Sequence, residues 1–402
     1  MRIAVAICML AGPLVASADE YHYQGPPVGA RAAAMGGAFA GLATDGSAAF
    51  HNPAGLVLSS GTELSLSTSV YGIARDNIDG SDAIQAPTFL AFPATFVLVK
   101  SPPWVKDKSG TPTQRYAVSI LMTDFTKVAR QGLTADSQEL FKATDSTTYY
   151  GLSYGYRLSD RLSIGASAWL VSRSEVRFEQ TSRLTGAGFE LDRRDIDASQ
   201  YGLQAFASAL WQVTDFASAG VTLRTPMARV ANSLNLTQFT KRPDSPLEEQ
   251  TTDQGQYASR LPLSVVVGAA VRVHPILLFS ADLSVYAPTG RYDALRTEMM
   301  VETVDKRAIV NGAVGAEVML ASSVPLRLGF YTDRSARADA IGASGLATLA
   351  PDFYVGTGSI SYETERTSIT AGMAYQTGTD SVGDYVLARE EIRGWIASSY
   401  RL

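Results

Sequence analysis

The sequence predicts an all-β chain: a transmembrane, antiparallel, up-and-down β-barrel of about fourteen strands. Three observations lead there. Apolar and polar residues alternate with a period of two over stretches longer than soluble strands need. The connections between those stretches alternate between short and long. Only 18% of the residues are charged, below the roughly 25% of soluble domains, yet no stretch approaches the ~20 apolar residues of a transmembrane helix.

Composition removes several function classes at once. The 34 Lys+Arg are outnumbered by 39 Asp+Glu, so a clustered basic excess for gripping nucleic acid is missing. With 46% apolar residues and a single cysteine, disorder and disulfide scaffolds are excluded as well.

Residues 1–18 read as a secretory signal peptide. Arg2 gives the positive start, Ile3 to Leu10 the apolar run and Ala16-Ser17-Ala18 the small-residue cleavage site. Cys8, the only thiol, lies inside that run, so thiol catalysis and cysteine-based metal binding are expected to leave with it.

From Gly29 to Leu56, sixteen of twenty-eight residues are glycine or alanine. A segment so poor in side chains builds no core of its own, but its backbone can lie close against another wall. Asp45, Ser47 and Asn52 can bond local backbone groups, and Pro53 fixes a turn. A short alanine-rich helix and loop in a soluble domain is the alternative.

The strands follow in order at 62–74, 85–100, 115–128, 146–158, 161–179, 199–213, 216–231, 256–273, 276–288, 307–320, 325–334, 351–362, 366–377 and 391–402. Each carries one greasy face and one small or polar face. Leu261, Leu263, Val265 and Val267 alternate with Ser264 and Gly268; Tyr150, Leu152, Tyr154 and Tyr156 alternate with Gly151, Ser153 and Gly155. In the last strand Ile392, Ile396, Tyr400 and Leu402 share a face, the kind of apolar end that barrel-assembly machinery recognises. Short connections such as Ser159-Asp160, Thr214-Asp215 and His274-Pro275 alternate with long polar ones at 129–145, 180–198, 232–255, 289–306, 335–350 and 378–390. That alternation is expected of a closed outer-membrane barrel, since lipid offers no partner to an open edge.

Two phrases carry a family resemblance: R-A-A-A-M-G-G-A-F-A at 31–40 and D-G-S-A-A-F-H-N-P-A-G-L at 45–56. The chain resembles the FadL family of outer-membrane transport proteins, whose glycine- and alanine-rich N-terminus leads to an Asn-Pro-Ala motif. The resemblance implies residues 19–60 as a hatch that plugs the lumen, with Gly36, Gly37, Phe39, Asp45, Asn52, Pro53, Ala54 and Gly55 seating it, and residues 61–402 as the barrel. It also implies passive uptake of hydrophobic small molecules, long-chain fatty acids or hydrocarbons, in a Gram-negative outer membrane. The alternative is a plugged barrel serving as a structural or secretion-partner protein. No cofactor, metal or nucleic acid is expected; lipid and lipopolysaccharide are.

One strand breaks the rhythm. Tyr116, Val118, Ile120 and Met122 form a lipid-facing row whose next member is Asp124. A bulge after Met122 turns Asp124 inward and lets Phe125 take over the outer row; the resemblance makes this the kink that opens the wall sideways. A place at the outer interface is the alternative for Asp124. Leu184, Phe189, Leu191, Leu234, Leu236 and Phe239, in two of the long connections, are candidates for a pocket lining or an interface. The run 191–195 is expected to be a solvated loop surface, with lipopolysaccharide phosphates as a partner within its reach. Trp104, Trp169, Trp211 and Trp395 are expected at interfacial girdles. The Gly-x-Ser-x-Gly match at 151–155 continues an unbroken strand rather than a strand–turn–helix, so catalysis is not expected there.

Overall fold

The computed structural model describes residues 20–402 apart from 60, 79–80, 85–92, 103–111, 134–135, 244, 246–247, 339–348 and 383–384. The expected signal peptide and Trp104 lie outside the described residues.

The strands are β1 (Glu63–Ile78), β2 (Ser81–Ile84 and Pro93–Lys100), β3 (Gln114–Leu133), β4 (Ser137–Arg157), β5 (Leu162–Thr185), β6 (Gly188–Thr214) and β7 (Ala217–Arg224 and Ala228–Lys241). Then come β8 (Glu249–Tyr257 and Ser264–His274), β9 (Leu277–Tyr286 and Gly290–Arg296), β10 (Val301–Lys306 and Ile309–Ala321), β11 (Val324–Asp333), β12 (Asp352–Glu363), β13 (Thr367–Val382) and β14 (Tyr385–Arg401). Every strand pairs antiparallel with its chain neighbours, and β14 pairs with β1 from Glu63↔Arg401 to Ile78↔Leu387. The sheet is thus a closed barrel of fourteen strands, with no free edge to satisfy in lipid.

The outer face shows why the period of two was so clear. Leu152, Ile360, Met373 and Ile396 all point outward and are at least half exposed. Outward aromatic residues stand toward both ends of the band. Tyr201 and Tyr354 stand at one, Trp211 and Tyr362 at the other, near the short turns. Eight to ten residues at ~3.3 Å each, tilted by about 40°, span ~20–25 Å, the height of a hydrocarbon band.

Beyond that band, the long connections expected from the sequence are largely strand. β5 has 24 residues and β6 has 27, where spanning needs only about 9–11. The ladder between them runs out to Leu184↔Phe189 and Thr185↔Gly188. This corrects the expected loops at 129–145, 180–198, 232–255 and 289–306. The hydrophobic alternation stops where lipid stops, although the backbone pairing does not.

Residues 20–59 lie inside the barrel, with helices α1 (Ala30–Ala34) and α2 (Ala48–His51) and a 3₁₀ turn at Pro53–Leu58. Ala32, Ala34, Phe39, Ala43, Ala48, Ala49 and Leu56 have no exposed surface. The wall makes room for this plug by losing side chains of its own. A Cβ added at Gly155 would stand 2.8 Å from the Pro53 carbonyl oxygen, and one at Gly315 2.7 Å from that of Met35. Gly165, Gly220 and Gly329 are tighter still, against Ala54, Ala40 and Gly36. In return Gly36, at φ 65, faces the Phe330 backbone and Gly41 faces Ala269. Gly165→Val is therefore expected to block seating of the Ala54 turn while the barrel still closes. Limited proteolysis of the folded protein should then cut within residues 20–59, where the parent resists.

Candidate functional site

The plug is held by backbone groups clasped from the wall. Asp282 on β9 accepts from the Phe39 and Ala40 amides, both at 2.8 Å. The fully buried Asn52 donates to the Ala40 carbonyl at 2.7 Å and to Ala209 on β6 at 3.1 Å, and it accepts from the Ala54 amide at 3.2 Å. Pro53 starts the turn that presents Ala54 to Ser208 Oγ at 2.9 Å. Arg31 forks onto Glu317 of β10 at 2.9 and 3.0 Å, a bidentate ion pair that fixes direction as well as position.

Above this clasp stands an aromatic cluster. Phe50 meets His51, Tyr149 and Phe206 edge-on at 5.5 to 5.7 Å between centroids, and Trp169 at 6.2 Å. The Arg224 guanidinium lies over Phe50 and Phe206, at 4.6 and 5.0 Å. Trp169 fits inside because the residue across from it is Gly151, whose missing Cβ leaves space for the indole.

Beside the cluster opens a chamber of about 120 Å³, lined by Phe50, His51, Tyr149, Leu261, Val266 and Tyr286 on its apolar side and by Arg173, Arg224 and Asp282 on its polar side. A smaller cavity of about 50 Å³ adjoins it. His22, Gln24, Gly25, Pro26 and Asp124 line both, so residues 22–26 form the partition between them. A third, polar space of about 300 Å³ lies between the plug and the short-turn end, lined by Arg31, Asp45, Glu63 and Arg401 among others.

The partition touches the wall where β3 changes phase. The β3–β4 register shifts between Met122 and Asp124. Before the shift the odd residues Arg115, Ala117, Ser119 and Leu121 are buried; after it the even residues Val128 and Arg130 are. Thr123 is the extra residue, and Gly25 packs on its carbonyl. Asp124 faces the two cavities, and Phe125 lies on the other face of the strand.

His51 sits at the plug's centre, its Nε2 donating to the Val28 carbonyl at 2.9 Å. Burial, with help from Arg224 and opposition from Val28, pushes its imidazole down to about 4. The docked plug therefore holds His51 neutral, whereas an undocked one takes a proton near pH 6.5. Docking strength is full above about pH 6.5 and is lost progressively as pH falls toward 4. Amide exchange of the plug is expected to rise over that window. In His51→Gln, which keeps the donor to Val28, the rise should be smaller.

No family model matches the chain, and no curated protein matches it. Solved structures do. The Pseudomonas putida toluene transporter TodX superposes with a TM-score of 0.71 at 14% identity, over 96% of this chain and 100% of that one. The Ralstonia pickettii toluene transporter TbuX gives 0.66 at 15%, over 94% and 99%. A Pseudomonas aeruginosa FadL homologue gives 0.64 at 14%, over 95% and 99%. The chain has the fold of these plugged barrels.

Within that fold the residues singled out from sequence take distinct places. Gly36, Gly37, Phe39, Asp45, Asn52, Pro53, Ala54 and Gly55 all lie in the plug. Asp45 braces its own turn, accepting from Ser47 N at 2.9 Å and from Ser47 Oγ at 2.6 Å. The six apolar residues of the long connections, read as a pocket lining or an interface, separate into different settings. Leu184 and Phe189 pair at a hairpin tip and are 67% and 47% exposed, and Leu191 is strand beside them. Phe239 stacks with Arg193, while Leu234 and Leu236 are buried with Ile196 and Tyr257.

Trp169 and Trp395 are also corrected. Both point inward over glycines, Gly151 and Gly372, and only Trp211 of the described tryptophans is in the outer band. Ser153, in the Gly-x-Ser-x-Gly match, is buried against the plug and bonds Ala49 O and Ser167 Oγ. Asp282, Arg224 and Phe206 escaped the sequence reading. A charge on the inner face of a spanning strand is the signal that marks Asp282 and Arg224.

Proposed function

We propose that the protein is an outer-membrane channel for passive uptake of hydrophobic small molecules, with residues 19–60 as its hatch and the β3 bulge as a sideways exit. The observation that carries this reading is the half-apolar, partly open chamber between plug and wall, next to the one place where β3 breaks phase. The toluene transporters it superposes on support the same reading.

Chamber size favours a small cargo. A dry cavity of ~150 Å³ lined by apolar side chains holds benzene, so about 120 Å³ suits a single ring better than a long acyl chain. Burial supplies the affinity, at roughly 25 cal/mol per Å² of apolar surface. The polar space at the short-turn end offers such a cargo nothing, which favours the sideways exit. The half-apolar chamber also favours uptake over a structural or secretion-partner role, which has no need of one. A non-enzymatic role is part of the proposal.

On the outer face above the band, Arg193 lies between Phe178 and Phe239, at 5.0 and 4.9 Å. That suits lipopolysaccharide phosphates, and the apolar face of β14 suits the assembly machinery. The uptake test uses cells with intact lipopolysaccharide. Expression of the chain should raise the initial rate of toluene uptake in a saturable way; a rate equal to that of cells lacking it would remove the reading.

A further inference from the structure

Three neighbouring strands place one indole where it bounds the cargo chamber from behind. Trp169 on β5 faces Gly151 on β4 and Gln204 on β6 in register. Tyr149 and Phe206 stand two residues along those same neighbouring strands, on its diagonals, a separation that aromatic rings bridge. The indole is 1% exposed and meets Tyr149 at 5.8 Å, Phe206 at 5.9 Å and Phe50 at 6.2 Å between centroids. Phe50 and Tyr149 line the chamber, whereas Trp169 does not. It fills the space into which those two rings would otherwise retreat. Further contacts hold the lining rings in place. The Tyr149 hydroxyl donates to Gln204 Oε1 at 3.1 Å, Gln204 Nε2 donates to the Thr225 carbonyl at 2.7 Å, and Arg224 lies over Phe50 at 4.6 Å.

Size rather than polarity is what the indole contributes. Its Nε1–H is buried and, among the described residues, finds no acceptor. An unpaired buried donor costs stability, and a phenylalanine there would avoid that cost while filling less space. Gly151 gives up a side chain to admit the larger ring, since a Cβ there would stand 2.1 Å from the indole Cε3. We propose that Trp169 is the residue that limits the cargo to a single aromatic ring, by keeping Phe50 and Tyr149 forward in a chamber of about 120 Å³. The inference rests on the uptake reading and adds the cargo's upper size to it. Trp169 is a positioning residue, acting on the cargo through the two rings it supports.

The test is equilibrium binding of toluene and of naphthalene to the purified, folded barrel, for the parent, Trp169→Ala and Trp169→Phe. Truncating a large buried side chain leaves a cavity that takes up an apolar ligand, and the fit of a single methylene in a pocket is worth about 10- to 200-fold. The naphthalene-to-toluene affinity ratio is therefore expected to rise by about tenfold or more in Trp169→Ala and by a smaller factor in Trp169→Phe. Naphthalene should also bind more tightly in absolute terms, a gain that damage to the fold does not produce. Trp169→Phe keeps an aromatic ring in the cluster, so it decides the matter if the alanine variant fails to fold. A ratio that stays within about twofold of the parent's in the folded variants overturns the size limit. Equal weakening of both ligands does so too, because that is what a purely structural role for Trp169 predicts. Toluene binding to the parent would then still uphold the uptake reading. Failure of both ligands to bind any of the three proteins overturns the two together.

Discussion

Asp282→Ala is expected to unseat the plug and turn a quiet barrel into a conducting one. The side chain accepts both the Phe39 and Ala40 amides at 2.8 Å, and leaving a buried amide without its acceptor costs about 1–3 kcal/mol. Losing both acceptors leaves two buried amides unsatisfied and weakens docking by roughly 2–6 kcal/mol. The chain remains tied to β1 beyond the plug, so the segment is released rather than lost. In planar bilayers the variant should show frequent large openings where the parent shows few. Asp282→Asn, which keeps one carbonyl acceptor, should fall between them. Heat-dependent gel migration should be the same for all three, since the ladders of β9 with β8 and β10 do not involve this side chain.

Deleting Thr123 is expected to abolish uptake and leave the barrel whole. The inner row before the bulge ends at Leu121 and resumes with Asp124 after it. With Thr123 gone, Asp124 takes the next inward position and Phe125 the next outward one. Every later residue of β3 therefore keeps its face, and only the irregularity disappears. The ladder to β4 becomes continuous and Gly25 loses the carbonyl it packs on. Initial uptake should fall to the level of cells without the protein, while binding to the chamber persists within about twofold. Undiminished uptake would show that cargo leaves elsewhere.

Much of the fold was legible because lipid writes it into the sequence. Each spanning strand must turn apolar side chains outward, so Tyr150, Leu152 and Tyr154 announce β4 as clearly as Ile392, Ile396 and Tyr400 announce β14. The same logic exposed β3, where an acidic residue in a greasy row signals a change of phase. Above the band that constraint vanishes. Val176 and Phe178 lie on one face of β5 while Arg173, Glu175, Arg177 and Glu179 lie on the other. A hydrophobic period fails there, yet charge alternating at every second residue was available as a signal. Those residues are tied inside, Arg177 to Glu302 at 2.8 Å.

The site was less legible because it is made across the barrel. Glycine and alanine richness showed that residues 29–56 press their backbone on something. Which wall glycines receive them is a matter of register between distant segments. Trp169 was placed at a girdle by its type, whereas Gly151 opposite gives it room inside. Asp282 stands among unremarkable neighbours in the chain, and only the closed wall gathers its partners.

The most direct measurement sets two quantities side by side on purified protein: equilibrium binding of radiolabelled toluene and ion conductance after insertion into a planar bilayer. The account predicts binding that saturates, together with conductance near the bare-membrane baseline at neutral pH. Steady ohmic conductance with no saturable toluene binding would contradict it, and would describe an open aqueous pore instead.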